Sequence, residues 1–281
     1  MPPAYRAIFV EWSPPIILTG TLIVCGVVYV RGWIAIRKTR LVQFPWWRLW
    51  AFLLGLAVIW VAIASPLDGF ADALLSAHMV EHLLLMSFAP PLLVLGCPVV
   101  PLLRGLPRGV TIYLLGPLVR MKALRNLGHF MIVPLVAWLA MNLVFLGWHV
   151  PAAYDFALEH EHWHEFEHMC FLGTSILFWW PVIRPWPIRE DYHFGWLMLP
   201  YLVMADIVNT ALSAFLVFCD RPVYGYYLKE TNAFNVSPLS DQRAGAVVMW
   251  VIGSFIFLVP AIVLTVRLLQ PEERSRVHDF S

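Results

Sequence analysis

Seven long apolar stretches constrain this chain more than any other feature. They cover residues 15–30, 47–64, 74–95, 130–148, 163–180, 196–218 and 245–266. A segment that crosses a bilayer must satisfy its own backbone N–H and C=O groups, and about 20 mostly apolar residues in a helix do so. The stretches are continuous and lack the two-residue alternation of an outer-membrane barrel, so helices are expected rather than strands. Of the 281 residues, 60% are hydrophobic and 13% charged, about half the charged share of a soluble domain. The chain therefore reads as all-α, a polytopic membrane protein whose residues 1–281 form a single domain of seven transmembrane helices. It shows no internal repeat. A net charge of +1 offers nucleic acid no attraction, and membrane lipid is the expected surrounding.

Lys and Arg set the expected orientation. Arg31, Arg37, Lys38, Arg40 and Arg48 follow the first stretch, and Arg104, Arg108, Arg120, Lys122 and Arg125 follow the third. Arg184 and Arg189 follow the fifth, and Arg267, Arg274 and Arg276 the seventh. Arg6, Arg221, Lys229 and Arg243 fall on the opposite side. Positive-inside bias then predicts the N-terminus outside and the C-terminus inside. Only Arg6 precedes the first stretch, and a basic cluster follows it, as in an anchor rather than a cleaved signal. Residues 98–128, with their Pro, Gly and five basic side chains, are too polar to span and are expected along the inner interface.

The four cysteines, Cys25, Cys97, Cys170 and Cys219, are scattered with no CxxC pair. They read as inert thiols, which disfavours thiol-based metal transfer or disulfide exchange. The ten histidines are distributed differently. His78, His82, His149, His160, His162, His164 and His168 all fall at the predicted outer ends of the third, fourth and fifth stretches. His129, His193 and His278 lie inward. His78 and His82 are one helical turn apart, as are His164 and His168, so each pair shares a helix face. Imidazoles from two facing helices can surround a metal ion, and ionisable groups within a membrane are costly enough to mark function. The candidate ligands are thus His78, His82, His149, His164 and His168.

Other polar and soft groups accompany them. Glu81 lies about 60° around its helix from His78 and is a candidate for orienting imidazoles, with Glu165 and Glu167 nearby. Met86 extends the face of His78 and His82, and His160 lies one turn beyond His164. The sixth stretch carries Asp206, Asn209, Thr210 and Ser213 on one face; all but Asp206 read as ordinary interhelical hydrogen bonding. The seventh begins with Asp241, and Met249 lies two turns along the same face. Met suits Cu(I). Asp206, Asp241 and Met249 join Glu81, Met86 and His160 as supporting groups or additional ligands.

Three chemistries fit the histidines. His164-Glu165-Phe166-Glu167-His168 matches HExxH, and His78-Met79-Val80-Glu81-His82 matches HxxEH, so an intramembrane zinc protease is one reading, with Glu165 activating water. Against it, the pattern is doubled, and four imidazoles would fill zinc's coordination sphere. Haem ligated by facing imidazoles is a weaker reading, since the pairs lie too close along each helix for two haems. Copper handling is the third: imidazole with nearby Met suits copper, with zinc as the alternative ion. A metal transporter would need polar groups that continue inward from Asp206, and none follow.

Ser65-Pro66-Leu67-Asp68 is followed by His78-Met79-x-x-His82-Leu83-Leu84, Pro91-Leu92-Leu93-x-Leu95-Gly96-x-Pro98 and Trp148-His149-x-Pro151. His164-x-x-x-His168, Trp180-Pro181, Ser237-Pro238-Leu239-x-Asp241-Gln242-x-Ala244-Gly245 and Met249-Trp250 come next. In this order the blocks resemble the polytopic CtaG-type cytochrome c oxidase assembly factors linked to caa-type oxidases. The resemblance implies a seven-span protein of the bacterial cytoplasmic (inner) membrane that supports copper-site formation in a haem–copper oxidase and is not an enzyme. The implied partners are the oxidase subunit carrying that copper site and an extracytoplasmic copper donor. His78, His82, His149, His164 and His168 carry over as metal-site residues; His160 and His162 lie outside the shared blocks.

Overall fold

The structure, a computed structural model, describes residues 12–184, 192–229 and 234–269. Arg6, Arg189, Arg274, Arg276 and His278 lie outside the described residues. Among those described, all regular structure is helical.

Proline sets many of the boundaries. Helix α1 (Ile16–Arg37) follows Pro15, and α2 (Trp46–Ala64) follows Pro45. Ser65 then caps α3 (Pro66–Ala73), accepting from the Leu67 N–H at 3.2 Å, with Pro66 in the first turn, where its missing N–H costs nothing. The third span is composite: α4 (Leu75–Leu83), a π-helical turn (Leu84–Phe88) and α5 (Ala89–Leu95). Pro90 and Pro91 explain the turn, because neither can donate to the carbonyl four residues back. The chain widens by one residue, and the Ala89 N–H reaches Leu84 O.

Short helices occupy the predicted interfacial segment: α6 (Val99–Gly105), a π-helical stretch (Val110–Leu115), α7 (Gly116–Arg120) and α8 (Lys122–Met131). No residue of α8 is buried. Then follow α9 (Pro134–Trp148), α10 (Pro151–Leu158), α11 (Glu161–Ile183), α12 (Tyr192–Phe218), α13 (Tyr226–Lys229) and α14 (Pro238–Leu269). Arg184 ends α11 in the left-handed region, φ 47°, and donates its N–H to Trp180 O at 2.9 Å.

Among the described residues, six helical spans are long and apolar enough to cross a membrane outright. The fourth differs from the expected 130–148. Pro134 forces Val133 into an extended conformation, so the helix starts four residues later and meets α8 at a 71° bend. Its 15 residues rise only about 22 Å, and the bent pair α8–α9 together makes the seventh candidate span.

Two apolar clusters flank the third span. Tyr29, Trp33, Phe52, Ile59, Leu85 and Leu93 join it to α1 and α2. Met79, Met86, Phe171, Trp179, Tyr201 and Met249 join it to α9, α11, α12 and α14. Inside the protein 61% of its apolar window is buried, against 22–39% for the other single-helix spans. The third span is therefore the central helix, and its polar groups lie away from lipid. Close helix approach relies on glycine in two places. A Cβ at Gly32 would run into the Pro101 carbonyl, and one at Gly105 into that of Val28, so α1 and α6 touch backbone to backbone.

Candidate metal centre

The site is built on α4 and α11, which present the same signature in the same direction. His78-x-x-Glu81-His82 on α4 faces His164-x-x-Glu167-His168 on α11. In a helix, positions i, i+3 and i+4 share a face, so each helix turns two imidazoles and one carboxylate toward the other. The imidazoles of His78 and His164 stack with ring centroids 5.1 Å apart, and those of His82 and His168 lie 5.7 Å apart. The carboxylates cross over: His82 Nε2 lies 3.7 Å from Glu167, and His168 Nε2 lies 3.7 Å from Glu81. The two helices thus form a local pseudo-twofold arrangement.

His149 closes one side. It caps α9, 6.1 Å from the His82 ring, and its Nδ1–H donates to Phe145 O at 2.7 Å. A carbonyl only accepts, so this bond fixes the tautomer and leaves the Nε2 lone pair free to bind a metal. Phe171 packs against His82, and Tyr154 against His78. A tyrosine cluster backs the site. The Tyr227 hydroxyl donates to Ala71 O at 3.0 Å, and the rings of Tyr154 and Tyr224 pack at a tilt with centroids 4.0 Å apart.

The centre is buried. His78 and Glu81 are 0% exposed, Glu167 1%, and His82, His149 and His168 at most 8%. Both ring nitrogens of His78 and His82, one each of His149, His164 and His168, and all four oxygens of Glu81 and Glu167 have no hydrogen-bond partner within the protein. Native interiors pair nearly all such groups, so a cluster of bare donors and acceptors fits a metal ion. Two sets bring one ligand atom per residue within 4.8 Å of one another: His78, His82 and His168, and His78, Glu81 and His164. Neutral imidazole with carboxylate suits a divalent ion such as copper or zinc.

The structure distributes the remaining sequence candidates. Met86 and Met249 line a small cavity just beneath the imidazoles, with His82 and His149 at its wall. Asp241 has both oxygens engaged. They accept from the Leu75 N–H at 2.6 Å and the Ser76 N–H at 3.2 Å. It therefore caps the helix that carries His78 rather than facing the imidazoles. His160 is exposed and donates to Phe156 O at 2.9 Å, and His162 is exposed beside Glu165 at 3.5 Å. Asp206 is half-buried on α12 and does not line the cavity. Glu165 points away from the imidazoles, its side chain 66% exposed, so the water-activating carboxylate of the protease reading is on the wrong face. Glu167 is the carboxylate that faces inward. The sequence held its signal: residues 164–168 match HxxEH as well as HExxH, and HxxEH is the pattern repeated at 78–82.

Asp68 and Asp72, on α3, lie within electrostatic reach of Glu81. Burial, and Asp72 beside it, push the Asp68 carboxyl up to about 6. Farther out, the Lys229 ammonium 2.8 Å away lowers the carboxyl of Glu159.

The sequence profile of the cytochrome c oxidase caa3 assembly factor (Caa3_CtaG) matches residues 27–270. The chain is 28% identical, over 99% of its length, to an uncharacterized protein of Mycobacterium leprae, of which it covers 42%. It is 28% identical, over 89% of its length, to an uncharacterized protein of Mycobacterium tuberculosis, of which it covers 38%. It thus spans about two fifths of the length of these curated relatives. No solved structure matches it.

Proposed function

The chain belongs to the cytochrome c oxidase caa3 assembly factor family, and from that premise we propose that it binds copper at the α4–α11 centre and supports formation of the copper site of a haem–copper oxidase. Copper is cargo in this reading, and no reaction is catalysed. The observation that carries it is the set of four buried imidazoles, the half-buried His164 and two buried carboxylates whose facing atoms lack hydrogen-bond partners. Such a set is costly inside a membrane protein unless a cation offsets it.

With the basic side chains on the cytoplasmic side, as positive-inside bias favours, this centre faces outward. An extracytoplasmic donor supplies the ion there, and the oxidase subunit carrying the copper site receives it. Asp68 and Asp72 give the approach to Glu81 a negative field that attracts cations. The histidines are held ready rather than folded around the ion. His149 is fixed by its bond to Phe145 O, and α4 is anchored by Asp241.

The test is metal content and absorption of the purified protein, with oxidase activity in membranes of a deletion strain. The parent is expected to hold copper. His78→Ala/His82→Ala is expected to lose most of it and to restore little oxidase activity. Cys25→Ser, whose thiol packs with the α1–α2 cluster, is expected to behave as the parent. Unchanged copper in the double histidine variant refutes the proposal.

A further inference from the structure

Beneath the imidazoles lies a small cavity of about 30 Å³. Four of the ten methionines border it: Met79 on α4, Met86 on the π-helical turn, Met141 on α9 and Met249 on α14. His82 and His149 form its wall toward the metal centre. All four methionines are buried, at most 8% exposed, and they come from three spans of the chain.

Methionine is an ordinary filler of irregular core gaps, and a core gap lined by hydrocarbon alone stays dry. This one is not of that kind. His149 Nε2 and both His82 nitrogens have no hydrogen-bond partner, and neither has Oδ1 of Asn142, a residue that also lines the cavity and whose Nδ2 donates to Trp138 O at 2.8 Å. Polar side chains without hydrogen-bond partners therefore share one cavity lining with four methionines. The hydrogen bond from His149 Nδ1–H to Phe145 O directs its remaining lone pair outward from α9. Thioethers select soft, monovalent ions, while imidazole accepts soft and borderline ions alike.

We infer that this cavity is a second metal site, a thioether–imidazole pocket selective for Cu(I), which shares His82 and His149 with the centre above it. The inference deepens the copper reading, because the shared imidazoles let one ion contact both compartments. The upper compartment, with Glu81 and Glu167, favours a divalent ion. The lower one, with sulfur and no carboxylate, favours the reduced ion. The π-helical turn is part of the device: it places Met86 and Ser87 at the cavity where Pro90 and Pro91 interrupt regular helix.

The experiment uses the purified full chain in detergent, with Ag(I) as a redox-inert probe for Cu(I) and zinc as the probe for the upper centre. Metal-edge X-ray absorption identifies the ligands. The parent is expected to take up Ag(I) with sulfur scattering. Met86→Leu/Met141→Leu/Met249→Leu conserves side-chain volume and is expected to lose about one silver equivalent with its sulfur signal, while binding zinc as the parent does. His78→Ala/His168→Ala is expected to lose zinc and keep the silver–sulfur signal. A triple methionine variant that binds silver like the parent, or a parent with nitrogen scattering alone, overturns the pocket and leaves the histidine centre standing. A triple variant that also loses zinc overturns a separate site. Silver bound through sulfur in a parent that binds neither zinc nor copper at its histidines overturns the proposed function instead.

Discussion

Glu81 and Glu167 occupy equivalent positions in two copies of one signature, and each faces the far imidazole of the other helix at 3.7 Å. Equivalence at the residue scale has a measurable consequence. Glu81→Gln and Glu167→Gln are expected to weaken metal binding by similar factors, roughly 10- to 100-fold, as groups that orient and polarise imidazole ligands do. Competition titration against a chelator checks this, and a large inequality between the two contradicts the pseudo-twofold arrangement. Glu165→Gln is expected to change neither metal affinity nor oxidase activity, because its carboxylate is exposed beside His162. A metal-loaded Glu165→Gln protein that restores no oxidase activity would revive the hydrolytic reading. His160 is exposed and Asp206 does not line the cavity, and substituting them by Ala and Asn is expected to leave metal content unchanged.

At the scale of the element, α4 is the piece on which the centre depends. Its first turn lies against α14, and its N-terminal N–H groups end on Asp241, 166 residues away from Leu75. A carboxylate that accepts two N–H bonds at a helix N-terminus also meets the positive end of the helix dipole. Asp241→Ala is therefore expected to destabilise the protein by about 2 kcal/mol and to lower metal affinity with it, read by thermal unfolding and titration in detergent. Asp241→Asn keeps one acceptor and is expected to fall between. Gly245, one turn farther along α14, lets that helix approach Ser76 and Met79. The bend between α8 and α9 is also local in origin. Pro134 sets it, and the apolar residues ahead of the proline concealed it within a continuous stretch.

Across the whole molecule, charge is layered. The acidic side chains Asp68 and Asp72 stand outside the imidazole cluster, and the basic side chains gather after the odd-numbered spans. The Asp68 carboxyl, raised to about 6 in the folded protein, titrates near 4 when unfolded. The folded state then holds its proton more tightly. Below pH 4 both states are protonated and this site contributes no pH dependence. As pH rises from about 4 through 6, the unfolded state loses its proton first, and folded stability falls. Above 6 the loss is complete. Asp68→Asn is expected to flatten that decline, measured as metal-free unfolding between pH 4 and 7. Bound cation, by offsetting the carboxylate, is expected to reduce it as well. A decline that persists unchanged in Asp68→Asn would assign it to another group.

The sequence alone determined the all-helical, membrane-spanning character of this protein, because the need to pair every backbone polar group in lipid leaves an apolar stretch of that length little choice. It also determined which residues share a helix face, since a spacing of four along one helix fixes direction by itself. His78 with His82, and His164 with His168, were legible for that reason. Tertiary structure alone decided which faces meet. No spacing within α11 says that Glu167 reaches His82, that Asp241 caps α4 rather than facing a metal, or that His160 stays outside while His149 joins. Those outcomes depend on the rotation and register of packed helices. Contacts far apart in sequence act on both, such as the backbone approach at Gly32 and Gly105 and the closeness of α14 to α4, together with the local π-helical turn before Pro90. The four methionines are separated by up to 170 residues of chain, and only the packing of α9 and α14 against the central helix brings them to one cavity.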